Sequence, residues 1–316
     1  MTIATATSRD AQADPASAAP ATAGRRITGV LLHDRAALLS AGFIALMLLM
    51  AVCAPLISAL TGHGPTDFDT SAVDVDAGGI PKGSLGGISS DHLLGVEPLN
   101  GRDVLARVAY GARVSFLIAA SATVLTTLLG VALGMVAGFY GGWVDQVVSR
   151  VMDFLMAFPA LIFMIAILSS LPAGNKPVLL IVVISVFGWP YLARVVRGQT
   201  LTLVNRDFVE AARASGASTR ALVFKEILPN LRSSLIVMTT LAVPGYIGTE
   251  AGLSFLGVGV SPPTPSWGQM ISSSVSWYAV DPMYFAVPGL LLFLTVLSLT
   301  VLGDRIRAAT DAGAAS

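Results

Sequence analysis

The sequence predicts an all-α integral membrane protein with six transmembrane helices, on three observations. The 316-residue chain is 54% hydrophobic and only 12% charged, against about a quarter charged in ordinary soluble domains. Its mean hydropathy of +0.75 leaves a surplus of apolar surface that needs lipid as its solvent. Six segments, roughly 37–60, 114–138, 153–171, 178–196, 233–255 and 284–302, meet or approach the ~20 apolar residues that cross a hydrocarbon core about 30 Å thick. The basic residues are also placed unevenly. With the N-terminus in the cytoplasm, fourteen Lys and Arg fall on inner segments and five (Lys82, Arg102, Arg107, Arg113 and Lys176) on outer ones. That bias predicts an N-in, C-in topology.

Taken in order, residues 1–34 are expected to form a disordered cytoplasmic tail, since the first 24 are rich in Ala, Thr, Ser and Pro without periodicity. No apolar core follows early enough for a signal peptide. Residues 35–60 are expected to be the first transmembrane helix, and its single cysteine, Cys53, a packing residue. Residues 61–113, with many Gly, Asp and Pro, form an extracytoplasmic segment. Its amphipathic end, Val104 to Val114, is expected to lie as an interfacial helix. Residues 114–303 are the core domain, with five further transmembrane helices. The third and fourth are joined by a tight turn, Pro172 to Pro177. Residues 304–316 are a cytoplasmic tail.

The second span carries Gly130, Gly134, Gly138 and Gly142 at a spacing of four. On a helix these form one flat stripe, which suits close approach by a neighbouring backbone better than a solute-lining role.

Several chemistries are absent from the sequence. There is no G-x-x-x-x-G-K-[ST] phosphate loop, no H-E-x-x-H and no G-x-S-x-G. The three histidines, His33, His63 and His92, lie outside the spans and far apart in sequence, so neither a catalytic set nor a metal site is expected on this chain. One ionisable group stands out within a span. Glu250 lines a solute path, binds a partner helix, or bonds to nearby backbone at the outer end of span five, because an intramembrane carboxylate must be paired or wet.

The inner segment 197–232 is polar and basic, and its core reads as two short helices. Asp207, with Glu210 three residues on, is expected to form a capping box. Gly216 is expected to stop the first helix and Ser218 to cap the second. Leu222, Val223 and Ile227 share one side of that second helix, and Pro229 ends it or starts span five. The residues alone allow two readings, an amphipathic hairpin lying on the membrane or a knob that seats in a partner. The small residues Ala211, Ala212, Ala214, Ser215, Gly216 and Ala217 argue for close docking.

This segment resembles a known family. Glu210-Ala211-Ala212, Gly216 and Ile227-Leu228-Pro229 are similar to the EAA loop of bacterial ABC importer permeases. Gly188-Trp189-Pro190 through Gly198, Glu250-Ala251-Gly252-Leu253-Ser254-Phe255-Leu256-Gly257, Pro262-Pro263-Thr264-Pro265-Ser266-Trp267, His92-Leu93-Leu94-Gly95 with Gly101-Arg102-Asp103, and Leu302-Gly303-Asp304-Arg305 resemble the dipeptide, oligopeptide and nickel branch, specifically its "C"-type permease. The likeness covers about residues 30–311. It departs at Val96-Glu97, where the family usually reads Thr-Asp, and in a glycine-rich stretch around 70–90.

The resemblance implies the type I importer permease fold and a transport subunit of the bacterial inner membrane with no catalysis of its own. It implies a second, homologous permease, two cytoplasmic ATPase subunits and an extracytoplasmic binding protein as partners. ATP and Mg²⁺ would be held by the ATPases, with no cofactor on this chain. Peptides, or nickel or another small solute, would be the cargo. Asp207, Glu210, Ala211, Ala212, Gly216, Ala217, Ile227, Leu228 and Pro229 would be the coupling residues. The rival, an ion-driven secondary transporter, would need charged or broken-helix ion sites at midplane; Glu250 is a thin basis for one.

Overall fold

The computed structural model describes residues 34–171 and 174–314. The expected tail at 1–33 and the turn residues Pro172 and Ala173 lie outside the described residues. Helix α1 (Arg35–Val52) begins at Asp34, whose carboxylate accepts the Ala36 N–H at 2.8 Å. Arg305, far along the chain, reaches the other oxygen of Asp34 at 3.2 Å and ties the first span to the last. The first apolar run is split. Cys53 leaves the helix, and a short α2 (Ala54–Thr61) follows, closed by Gly62 in the left-handed conformation.

A polar outer subdomain follows, with a two-residue antiparallel ladder, β1 (Val73–Asp74) against β2 (Ile80–Pro81). Helix α3 (Val104–Tyr140) then runs for 37 residues, about 55 Å at 1.5 Å per residue, well beyond a hydrocarbon core. The stretch Val104–Val114 is therefore no separate interfacial helix but the start of this span. It is buried because the outer subdomain folds over it. Arg107, with no exposed surface, donates to the Pro65 carbonyl at 2.9 Å and to Gln269 Oε1 at 2.8 Å. The Trp267 indole N–H donates to the Val108 carbonyl at 3.1 Å.

The expected third span is also broken. Helices α4 (Gly142–Ala157) and α5 (Ala160–Ser170) meet at an 86° bend. Phe158 is extended there, and Pro159 cannot donate to a continuing helix. Helix α6 (Lys176–Val204) returns across the membrane with Pro190 inside it. After the inner hairpin, α9 (Leu228–Phe255), the short outer α10 (Trp267–Ser274) and α11 (Pro282–Ala314) complete the chain. The last helix continues through most of the segment expected to be a tail. Among the described residues, five helices are long and apolar enough to cross a membrane, or six with the bent pair counted as one.

The glycine stripe holds α3 against α6, as its spacing suggested. A methyl group on Gly134 would lie 2.6 Å from the Ala193 carbonyl oxygen, and one on Gly138 would lie 2.8 Å from that of Arg197. Gly130 faces the Leu192 side chain in the same way. Gly142 is not part of the stripe. It is the first residue of α4, at φ +55°, with open space around it.

Candidate functional site

The inner hairpin is built as a rigid projection. Helix α7 (Asp207–Ala214) starts after extended Arg206 with no side-chain cap, so the expected capping box does not form. Asp207 and Glu210 instead occupy the first turn, where carboxylates favour the exposed N–H groups of the helix. The other end closes as expected. Gly216, at φ +84°, donates its N–H to the Arg213 carbonyl, and Ala217 donates to Ala212, both at 3.0 Å. These two bonds make a Schellman motif, and Ala212 and Ala217 meet the same apolar cluster beneath it. Ser218 caps the next helix by accepting the Ala221 N–H at 3.3 Å.

That next helix, α8 (Thr219–Ala221), does not end at Pro229. It passes through a π-helical turn, Leu222–Ile227, directly into α9. The proline ring explains the widened turn. In a regular helix it would strike the carbonyl four residues back and could not donate to it. Here the Leu228 N–H reaches the Val223 carbonyl instead, and the Asn230 side chain donates to the Glu226 carbonyl at 2.5 Å.

An apolar cluster fixes the hairpin to the spans. Val209, Leu222, Ile227 and Leu231 are buried against Met135 of α3 and Leu192 and Val196 of α6. The side away from this cluster exposes Asp207, Glu210, Ala211, Gly216 and Pro229, while Ala212, Ala217 and Leu228 are half-buried. Ile227 has no exposed surface, so of the expected coupling residues it is an anchor to the core and not a contact. Phe208 and Phe224, not singled out in the sequence, are exposed at 41% and 63%. Their signal was available as the two aromatic residues off the buried stripe.

Glu250 is placed differently from the path expectation. It is wholly buried, with its two carboxylate oxygens accepting from Ser115 and Ser254 hydroxyls at 2.8 Å each. A side chain with no exposed atom lines no path in this conformation. Its role here is to join α3 to the outer end of α9. Among the described residues, no group of three or more His, Cys, Asp or Glu side chains is placed to hold a metal ion.

Residues 130–315, more than half the chain, match the family described as the binding-protein-dependent transport system inner membrane component. The chain belongs to this family. The permease is 37% identical over 268 residues to the oligopeptide transport system permease protein OppC of Bacillus subtilis (strain 168), covering 85% of this chain and 82% of that one. It is 37% identical over 279 residues to the glutathione transport system permease protein GsiD of Salmonella typhimurium (strain LT2), covering 88% and 87%. Its fold is that of the permease subunit in the inward-facing MetNI methionine ABC transporter. There the TM-score is 0.51 at 20% identity, over 64% of this chain and 96% of that one.

It is thus a multi-pass transport subunit of an ABC importer, in a family whose members work with ATPase and binding-protein partners and carry the ATPase on a separate chain. The two departures from the family pattern fall in the outer subdomain and leave the hairpin intact. Glu97 is buried between Arg102, at 2.5 Å, and Tyr284, whose hydroxyl donates to it at 2.5 Å. It therefore serves the outer fold.

Proposed function

We propose that this permease forms half of a translocation path for peptides, dipeptides or oligopeptides, and that the hairpin 207–228 couples it to an ATPase subunit. The observation that carries the coupling assignment is the hairpin's construction. A Schellman-closed tip exposes small residues on one side and is bolted by Val209, Leu222 and Ile227 to the ends of α3 and α6 on the other. A knob built this way moves with the spans when a partner pushes it. The peptide assignment rests on the relatives named for oligopeptide and glutathione transport; nickel or another small solute is the alternative cargo.

In this reading the second permease is a homologous chain, so the path lies in a heterodimer. Two cytoplasmic ATPases bind ATP and Mg²⁺, which leaves this chain without a cofactor, and an extracytoplasmic binding protein delivers the solute. Both termini are cytoplasmic, as the Lys and Arg bias favours. The importer needs two arrangements of similar free energy, so that ATP binding shifts their populations.

Gly216→Glu tests the coupling role. Open space surrounds the glycine, and the strain of a side chain at its φ of +84°, about 1–2 kcal/mol, is confined to the hairpin tip, so the variant should still insert and fail at docking. Solute uptake and ATPase co-purification should both fall at least tenfold in reconstituted vesicles. Wild-type values for both would remove the assignment.

A further inference from the structure

Two ion pairs cross between α4 and α6 near the hairpin. Arg197 grips Asp145 with two nitrogens, one of them at 2.7 Å from Oδ2. Three residues earlier on the same helix, Arg194 donates to Asp153 at 2.5 Å. The pairing 145 with 197 and 153 with 194 makes the two helices antiparallel neighbours. Beside the Asp153–Arg194 pair lies a small apolar cluster of Met152, Trp189 and Ala193.

The breaks in these helices fall at one level. Asp153 meets Arg194 on the inner side of the α4–α5 bend, and the Phe163 ring meets that of Phe187, centroids 6.2 Å apart, on the outer side. Pro159 therefore faces Pro190. On α9, the Tyr246 hydroxyl closes on Gly188 of α6, two residues before Pro190. A proline removes one helical hydrogen bond and is a preferred place to bend. The core clusters divide at this level too. Outside it, Met164 and Leu168 of α5 pack on Leu180, Val183 and Ile184. Inside it, α6 packs on the hairpin and on α4.

We propose that Asp145, Asp153, Arg194 and Arg197 are positioning residues that fasten α4 to the inner half of α6, so that α4 moves with the hairpin as one body about the level of Pro159 and Pro190. The outward face of α4 is an apolar stripe of Trp143, Val147, Val151 and Phe154, all exposed, while its inner face meets α6 through the small cluster of Met152 with Trp189 and Ala193. The arginine pairs supply the directional part of the link, since a two-point guanidinium–carboxylate contact fixes orientation as well as distance. This rests on the coupling role of the hairpin proposed above. It adds the second element through which a push on the hairpin reaches the bend.

The test uses the assembled importer, permease pair and ATPases together, in vesicles, with uptake per ATP hydrolysed as the readout. Asp145→Arg and Arg197→Asp should each lower that ratio at least fivefold while the ATPases still co-purify at wild-type ratio. The exchanged double variant should recover at least half of it. Asp145→Asn keeps the shape and loses the charge. It should assemble normally with a two- to fivefold loss, so a folding defect in the reversed-charge variants does not blunt the test. Wild-type coupling in Asp145→Asn, or a double variant no better than the singles, would overturn the inference. Gly216→Glu in the same preparation separates the two readings. If it loses docking while Asp145→Asn behaves as wild type, only the fastening falls; if it too behaves as wild type, the coupling role of the hairpin falls as well.

Discussion

Placing a single methyl group on Gly134 tests the α3–α6 contact on which the hairpin's anchorage depends. Its Cβ would sit 2.6 Å from the Ala193 carbonyl oxygen and 2.9 Å from the Val196 Cβ. Ordinary contact begins near 3.4 Å, so the helices must part locally by about 0.8 Å. A gap of that size forfeits roughly a quarter to a half of each dispersion contact it opens. Overpacking of this kind costs about 1–3 kcal/mol, while alanine gains about 1 kcal/mol over glycine in helix propensity. The net expectation is a loss of up to about 2 kcal/mol, and of about 1–3 kcal/mol relative to a variant that keeps only the propensity gain. Gly198 of α6 is the control, because nothing lies within 4 Å of a Cβ there, and its alanine variant keeps only the propensity gain. Thermal unfolding of each variant in lipid nanodiscs should show Gly134→Ala several degrees below wild type and Gly198→Ala at or above it. Equal midpoints for the two variants would refute the packing argument.

Two further outcomes follow from the outer subdomain. Glu97→Gln leaves the buried guanidiniums of Arg102 and Arg107 without their carboxylate. Breaking a buried pair on one side costs about 3–5 kcal/mol, so folded yield and unfolding midpoint should both fall sharply. Asp281 is buried with Oδ2 unpartnered, while Oδ1 accepts the Tyr284 N–H at 3.2 Å. Burial pushes its carboxyl above the usual range, so the charged form destabilises the fold at neutral pH and protonation relieves that as pH falls. Asp281→Asn keeps the cap and should raise stability by about 1 kcal/mol at pH 7, with the gain shrinking as pH falls through the raised folded pKa and gone below about pH 4, the ordinary carboxylate value. A constant gain across that range, read by unfolding at both pH values, would count against the titration.

Much of this was legible in the residues. The run of apolar segments gave five long membrane helices, and glycines at intervals of four marked the face of α3 that meets α6. Gly216 signalled the end of α7 because few other residues take the left-handed conformation cheaply. The misreadings share a cause. Hydropathy counts apolar residues and is blind to direction, so the break at Pro159 was absorbed into one span. Asp207 and Glu210 had the spacing of a capping box, but the chain enters α7 one residue earlier, from Arg206. Arg194 and Arg197 read from the sequence as inner-face charges within the family-like stretch 188–198. Their spacing on an apolar helix was the available sign that they had partners, but nothing local named Asp145 and Asp153.

The sequence by itself determined the solvent, the number of apolar segments and the small-residue hairpin. Each of these is a matter of local composition and of period along one helix. Only the tertiary structure decided that Glu250 is sealed between serines from two helices and that Ile227 anchors the hairpin without facing a partner. It also decided that two aspartates of α4 pair with two arginines of α6. Those facts depend on which segments lie side by side, and that is settled by packing between residues tens to more than a hundred positions apart.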